Sequence, residues 1–117
     1  MSEDSFASRR QSQRVKVEID VDLGAYGEYF LSKLDNVSTG GAFVKTRKLQ
    51  DVGSEVKLRF KLPGDDQLIE AEGIVIWTYN QAGPIDGNSS GMGIQFTEIL
   101  QSDRDRIKTF VAQHTNP

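Results

Sequence analysis

The chain has 117 residues, of which 37% are hydrophobic and 26% charged, and its net charge is −3. This length suits one domain, and the acidic balance argues against a general nucleic-acid binder, since those proteins usually present a basic face. The sequence has no cysteine, which excludes disulfides, cysteine-based metal sites and thiol nucleophiles.

Residues 1 to 8 are polar and patternless, so we expect a disordered tail followed by a single domain over residues 9 to 114. The N-terminal stretch has no apolar run that could serve as a signal peptide. No stretch approaches the roughly 20 apolar residues needed to span a bilayer. These features predict a cytoplasmic protein without membrane insertion.

The first predicted strands follow the tail. Residues 15 to 23 alternate apolar and polar side chains, which is typical of a strand with one face in the core and the other in water. A second strand is predicted over residues 28 to 37. A glycine turn at Gly40 and Gly41 ends it, and extended structure restarts over residues 42 to 46.

The later strands form a hairpin and a final short strand. Residues 55 to 62 alternate again, a Pro-Gly turn follows, and residues 68 to 77 return as the partner strand. The apolar–polar alternation of this strand becomes irregular around Gly73, which suggests a bulge or burial on both faces. Residues 79 to 90 are predicted to be a polar loop, and residues 91 to 96 the last strand. Gly93 is expected to ease a tight strand rather than to clear space near a binding site.

The C-terminal segment changes period and predicts a helix. Its apolar positions share one helical face, and Ser102 with Asp105 three residues on resembles a capping box at the helix start. Five or six short strands with one terminal helix favour a closed or nearly closed antiparallel β-barrel, which leaves no exposed edges.

Enzymatic chemistry finds little support in the sequence. The only histidine, His114, lies four residues from the end, and the HExxH, GxxxxGK and GxSxG motifs are absent. Asp and Glu mostly occupy the polar phase of the strands. We therefore predict no catalytic residues, no metal site and no cofactor.

Two constellations stand out as candidate binding residues. One is Arg10 and Arg14, with Arg9 directly before them; the other comprises Asn36, Ser38 and Gly41. Each has a simple structural interpretation, a solvated basic segment in the first case and a strand running into a glycine turn in the second.

Taken together, the two constellations resemble the signature of the PilZ domain family, an RxxxR followed later by (D/N)xSxxG. The resemblance extends to Val75-Ile76-Trp77 and to the stretch GMGIQF, and it covers residues 9 to about 111. It implies a six-stranded antiparallel barrel with one C-terminal helix that binds cyclic di-GMP, a bacterial second messenger. Family members serve motility, pili, polysaccharide export or gene control, and this chain is expected to signal to a separate protein.

The residue types suit that ligand on physical grounds. The planar fork of Arg10 or Arg14 can pair with phosphate or with the O6 and N7 edge of guanine, and its face can stack on a purine. Asn36 and Ser38 are two apart on a predicted strand, so we expect them on one face. Gly41 would let the backbone approach closely.

Trp77 has two interpretations of similar weight. Its indole covers a guanine, or it is a core anchor of a small barrel. Arg9 adds a third guanidinium that projects opposite Arg10 in an extended chain, which predicts two intercalated ligand molecules per site. The polar segment 8–14 is expected to fold over the barrel when ligand binds.

Two other functions stay open. One is a single-stranded nucleic-acid-binding barrel, which needs aromatic residues spaced on an exposed face. The phenylalanines at 30, 43, 60 and 96 mostly fall at core-facing or turn-adjacent positions. The other is a ligand-independent adaptor that docks on a partner protein.

Overall fold

The computed structural model describes residues 14–25, 27–79 and 90–115. It contains six strands and one helix, with these bounds: β1 Val15–Ala25, β2 Glu28–Val37, β3 Gly41–Lys45, β4 Glu55–Lys61, β5 Leu68–Tyr79, β6 Gly91–Ile99 and α1 Gln101–Thr115. In the part of the chain so described, no helix has the length and apolar character required to cross a membrane.

The six strands form a closed antiparallel barrel in the order β1-β2-β3-β6-β5-β4. β4 pairs with β1, from Val21 opposite Phe60 to Gly24 opposite Lys57, and this pairing closes the barrel. Closure leaves no open sheet edge for another chain to pair with. The predicted fold class, a six-stranded antiparallel barrel with one C-terminal helix, is confirmed.

The barrel interior holds the alternating apolar residues. Val15, Val17, Val21 and Leu23 of β1 are all buried, as the period-two pattern predicted. The turn between β4 and β5 is also as predicted, because Asp65 N donates to Leu62 O (3.0 Å) and Gly64 has a φ of 79°. A positive φ at the third residue of such a turn favours glycine.

Two irregularities in strand pairing decide which side chains face outward. In β2, Leu34 pairs with Val44 and Asn36 with Phe43, so one extra residue separates the two β2 positions. In β5, Val75 pairs with Ile94 and Trp77 with Gly93, again with one extra residue. Each insertion is a β-bulge that reverses the in–out phase of its strand.

The C-terminal helix packs Ile107, Phe110 and Val111 into the core. It begins one residue earlier than the predicted capping box, since β6 runs to Ile99 and leaves only Leu100 as a connection. Arg104 N donates to Leu100 O, so Ser102 lies inside the first turn. The prediction that Ser102 starts the helix is wrong.

Two arginines of α1 bond the helix to loops at one end of the barrel. Arg104 Nη1 donates to Thr39 O, between β2 and β3, at 2.8 Å. Arg106 donates to Asp65 Oδ2, between β4 and β5, at 2.7 Å, and to the buried carboxylate of Asp103 at 2.8 Å. The helix is therefore fixed to the loop that carries the second half of the signature.

Candidate functional site

The strand register places one row of residues across the outer face of five strands. Lys16 pairs with Asn36, Asn36 with Phe43, Phe43 with Gly93, and Gly93 with Trp77. Their sequence neighbours Val37, Ala42 and Ile94 point into the core and are fully buried. We call these five residues the outer row.

Arg14 and Asn36 meet at one end of this row. Arg14 Nη1 donates to Asn36 Oδ1 at 2.8 Å, although 22 residues separate them. Partial desolvation lowers the pKa of the Arg14 guanidinium, which stays charged at neutral pH because an arginine does not deprotonate in proteins. The bond occupies one of its five N–H donors. Among the described residues no other acceptor is bonded to Arg14, so the rest of its fork can pair with an anion or a base edge.

A half-buried carboxylate lies near two lysines beside Asn36. Asp35 occupies the β2 bulge, and its Oδ1 lies 3.7 Å from Lys16 Nζ and 3.6 Å from Lys45 Nζ. This oxygen is fully covered, and in the described chain it accepts no hydrogen bond at normal distance. Asp35 thus holds two ammonium groups at the outer row without binding either one tightly.

Ser38 lies behind the outer row and serves the loop. β2 ends at Val37, so Asn36 and Ser38 do not share a strand face, contrary to the sequence-based expectation. Ser38 is 1% exposed, and its Oγ accepts from Gly40 N and Gly41 N, both at 3.2 Å. The hydroxyl is engaged in shaping the turn that follows Asn36.

Gly41 is required by close packing within the barrel. A Cβ at this position would lie 2.2 Å from Ile94 O on the paired strand β6. The close backbone approach expected at Gly41 is therefore an approach to β6. A Cβ at Gly40 would meet no atom within 4 Å.

Trp77 is an outer-face residue, and its interpretation as a core anchor is wrong. The side chain is 43% exposed and stacks on Phe43, with ring centroids 5.1 Å apart and an interplanar angle of 15°. The bulge after Val75 is the cause, because strict alternation would turn Trp77 inward with Val75. The two rings meet across Gly93, which has no side chain to separate them.

The other predicted site residues, Arg9 and Arg10, lie outside the described residues, as does the predicted tail over residues 1 to 8. Of the seven residues proposed from sequence, the structure brings Arg14, Asn36 and Trp77 to one face. It places Ser38 in the turn behind that face and Gly41 at the start of β3. The prediction of their roles stays a prediction.

Sequence reasoning missed three contributors to this face, namely Asp35, Lys45 and Phe43. The sequence predicts a core-facing or turn-adjacent position for Phe43, but its side chain is half-buried on the outer face. A usable signal exists in residues 41 to 45, where Ala42 and Val44 fit the core phase and Phe43 and Lys45 fit the outer phase.

The fold and this outer face define a small β-barrel domain with a cationic and aromatic outer face. The model of the PilZ domain family matches residues 8–113. The chain therefore belongs to the PilZ domain family, and the resemblance of its motifs is confirmed.

Solved structures with the same fold include three informative relatives. The inhibitor of motility of Bacillus subtilis (MotI/DgrA) superposes with a TM-score of 0.77 and 25% identity over 90% of this chain and 50% of that one. The PilZ domain of YcgR from Escherichia coli, solved with c-di-GMP, gives 0.66 and 15% over 91% of each chain. The PilZ domain of CeSA from a cellulose-synthesizing bacterium gives 0.59 and 21%, over 87% of this chain and 97% of that one.

The chain spans about half the length of the Bacillus subtilis protein that it matches. A search of curated proteins found no match.

Proposed function

We propose that the protein is a receptor for cyclic di-GMP that acts without catalysis and without a cofactor. On binding, its N-terminal segment changes conformation and signals to a separate protein, in bacterial motility or surface behaviour. The observation that carries this proposal is the 2.8 Å bond from Arg14 to Asn36, which joins both halves of the signature on one outer face. Family membership and the ligand bound to YcgR support the choice of nucleotide.

Each part of the outer face has a role in this proposal. The remaining donors of Arg14 bind a phosphate or the O6 and N7 edge of a guanine. The exposed face of Trp77 stacks on a guanine, an interaction that needs only a flat π-surface. Lys16 and Lys45 raise the local positive potential, while Ser38 and Gly41 fix the turn behind Asn36.

The N-terminal segment supplies the switch. Arg9 and Arg10 lie five and four residues before Arg14 in sequence, so they reach the same ligand if residues 8 to 14 close over the outer face. That closure presents a new surface to a partner protein. Amide exchange on residues 5 to 14 with and without ligand tests it, and equal protection in both states contradicts the switch.

The decisive experiment is calorimetry with cyclic di-GMP and, separately, with a short single-stranded oligonucleotide. The Phe43–Trp77 stack beside Lys16 and Lys45 favours single-stranded nucleic acid as a second candidate, since exposed aromatics with nearby cations bind unpaired bases. The receptor predicts selective binding of the cyclic dinucleotide. Tight oligonucleotide binding without cyclic di-GMP binding contradicts it.

A further inference from the structure

A second surface of the barrel carries a depression of about 490 Å³ on the outer side of β4, β5 and β6. None of the outer-row residues lines it, and neither does Arg14. Two of the residues that line it, Tyr29 and Leu100, are large and exposed. We call this surface the second face. Its lining includes Tyr29, Arg59, Glu70, Glu72, Glu98 and Leu100.

Tyr29 is an aromatic residue that is 46% exposed and yet held in place. Its ring covers Gly24 of β1, where a Cβ would lie 2.8 Å from the ring Cε2. The Arg59 guanidinium carbon lies 4.1 Å from the ring centroid, and Arg59 Nη2 is 3.9 Å from Asp22 Oδ2. A side chain that is already fixed loses little entropy on binding, and tyrosine and arginine are enriched among the residues that dominate protein–protein binding energies.

Leu100 is the second apolar residue of this face and is 69% exposed. It links β6 to α1, and its carbonyl oxygen accepts a hydrogen bond from Arg104 N at 2.9 Å. The backbone of Leu100 is therefore fixed at the helix start while its side chain lies in water. An exposed leucine and an exposed tyrosine that line one depression form an apolar anchor point for another molecule.

Two glutamates of this face lie directly opposite each other. Glu72 of β5 pairs with Glu98 of β6, and like charges at such positions destabilise a sheet. Among the described residues neither carboxylate takes part in an ion pair, although Lys57 of β4 is in register with Glu72. The barrel therefore retains a repulsive contact that a cation from another molecule would relieve.

The neighbouring charges extend this acidic character. An adjoining depression of about 390 Å³ shares four lining residues with the first and adds Glu28 and Glu55. Five glutamates and two cations, Lys57 and Arg59, line the two depressions together. Charge complementarity therefore favours a basic molecule at this apolar anchor point.

We infer that the second face docks a basic segment of a partner protein, one that carries an apolar side chain next to arginine or lysine. The cations of the segment bind Glu72 and Glu98 and relieve their repulsion, while its apolar side chain packs against Tyr29 and Leu100. A metal ion suits the face less well, because in the described ranges no group of three or more Asp, Glu or His side chains is placed to hold one. A polyanion would be repelled by the glutamates.

This inference rests on the part of the proposed function in which the receptor signals to a separate protein, and it gives the chemistry of that protein. The residues involved differ from those of the nucleotide site, since neither Arg14 nor Asn36 lines the depression. Nucleotide binding and peptide docking can therefore fail separately. Cyclic di-GMP binding without docking contradicts only this inference, and docking without cyclic di-GMP binding contradicts only the receptor.

The test is a nuclear magnetic resonance titration of the full chain, with and without cyclic di-GMP, by a short peptide of alternating arginine and leucine residues. Matched control peptides have glutamate in place of arginine or serine in place of leucine. We expect saturable shifts at the amides of Tyr29, Glu72, Glu98 and Leu100, weaker binding of the serine peptide and none of the acidic one. Shifts there with Mg²⁺ alone or with rising protein concentration alone, and none with the basic peptide, overturn the inference.

Three variants make the assignment specific. Glu98→Gln should weaken peptide binding up to about 5-fold, as expected for one exposed ion pair, and yet raise the urea midpoint of unfolding because its repulsion with Glu72 is removed. Leu100→Ser should weaken peptide binding about 5- to 50-fold, as expected when most of a leucine side chain is no longer buried. Glu18→Gln removes the same charge from an exposed position on β1 and should change neither quantity. Equal weakening by Glu98→Gln and Glu18→Gln would show a long-range charge effect alone and overturn the inference.

Discussion

Trp77 lies directly over Gly93, where a Cβ would approach the indole Nε1 to 2.2 Å. Phe43 covers Gly91 in the same way, with a Cβ there only 2.3 Å from its Cζ. Strand β6 thus has no side chain at two successive outer positions, and aromatic rings from β3 and β5 fill that space. Such cover of a strand glycine by an aromatic ring stabilises the sheet locally and holds the ring in one orientation.

Gly93→Ala should therefore displace the indole and separate it from Phe43. Base stacking on an aromatic side chain contributes roughly 1–3 kcal/mol, so we expect cyclic di-GMP affinity to fall about 5- to 150-fold. Because the chain has one tryptophan, its fluorescence reports the displacement directly. A changed emission with wild-type affinity would show that Trp77 does not contact the ligand.

The adjacent glycines Gly40 and Gly41 offer a matched pair for stability. Gly41→Ala places a methyl group against Ile94 O and forces β3 away from β6, which we expect to lower the free energy of unfolding by about 1–3 kcal/mol. Gly40→Ala meets no atom and should leave stability unchanged within about 0.5 kcal/mol. Urea unfolding measures both, and equal effects of the two substitutions contradict the close approach.

Arg14 should contribute to binding through its geometry as well as its charge. Arg14→Ala and Arg10→Ala should each reduce cyclic di-GMP affinity about 10- to 150-fold, since a hydrogen bond to a charged group contributes roughly 1.5–3 kcal/mol. Arg14→Lys keeps the charge without the fork and should recover only part of that loss. Arg59→Ala on β4 is the control of equal charge, and an effect as large as that of Arg14→Ala would indicate a purely long-range electrostatic contribution.

Arg9 should determine the number of ligands bound. We expect two intercalated cyclic di-GMP molecules per site in the wild type, because the guanines of one copy can stack on those of another. A third guanidinium would offset repulsion among their phosphates. Arg9→Leu should shift the calorimetric ratio toward one. A wild-type ratio of one that the substitution leaves unchanged would remove Arg9 from the site.

The ion pair between Asp65 and Arg106 should make stability depend on pH in acid. The hydrogen bond from Arg106 lowers the pKa of the Asp65 carboxyl below its ordinary value. The pKa of Asp65 is thus lower in the folded state than in the unfolded state. The ionised carboxylate therefore stabilises the fold at pH values above the unfolded-state pKa, and this contribution disappears as the pH falls through the folded-state pKa.

Urea unfolding from about pH 7 down to about pH 3 measures this loss. Asp65→Asn should be less stable at neutral pH and lose less stability across that range. Asp66→Asn, at a neighbouring exposed carboxylate, should follow the wild-type curve. Parallel curves for the wild type and Asp65→Asn would exclude the pair as the cause.

The barrel follows from local sequence patterns, whereas the outer face depends on the bulges. The apolar–polar alternation in β1 and β4 depends only on neighbouring residues, and so does the Pro-Gly turn. The strands and their inward faces could therefore be predicted from the sequence. Asn36 and Trp77 each lie two residues after an inward residue, Leu34 and Val75. Alternation alone would turn both inward.

The bulges themselves are determined by pairing with a different strand. The periodicity of residues along one strand does not reveal that pairing. The same limit explains Ser38. Its place in the motif predicted a strand residue facing a ligand, but the strand ends one residue earlier. The hydroxyl then bonds its own turn.

The bond from Arg104 to Thr39, together with the bond from Phe96 N to Gly40 O, connects the motif loop to the helix and to β6. If ligand binding at Asn36 moves this loop, the helix moves with it. Thermodynamic reciprocity then applies. A partner that binds α1 preferentially in its ligand-bound position raises the affinity for the nucleotide, and the nucleotide raises the affinity for the partner by the same factor. In a cell the apparent ligand affinity of such a receptor would rise and fall with the abundance of its partner. The ligand concentration at which it responds would therefore be a joint property of the receptor and its partner.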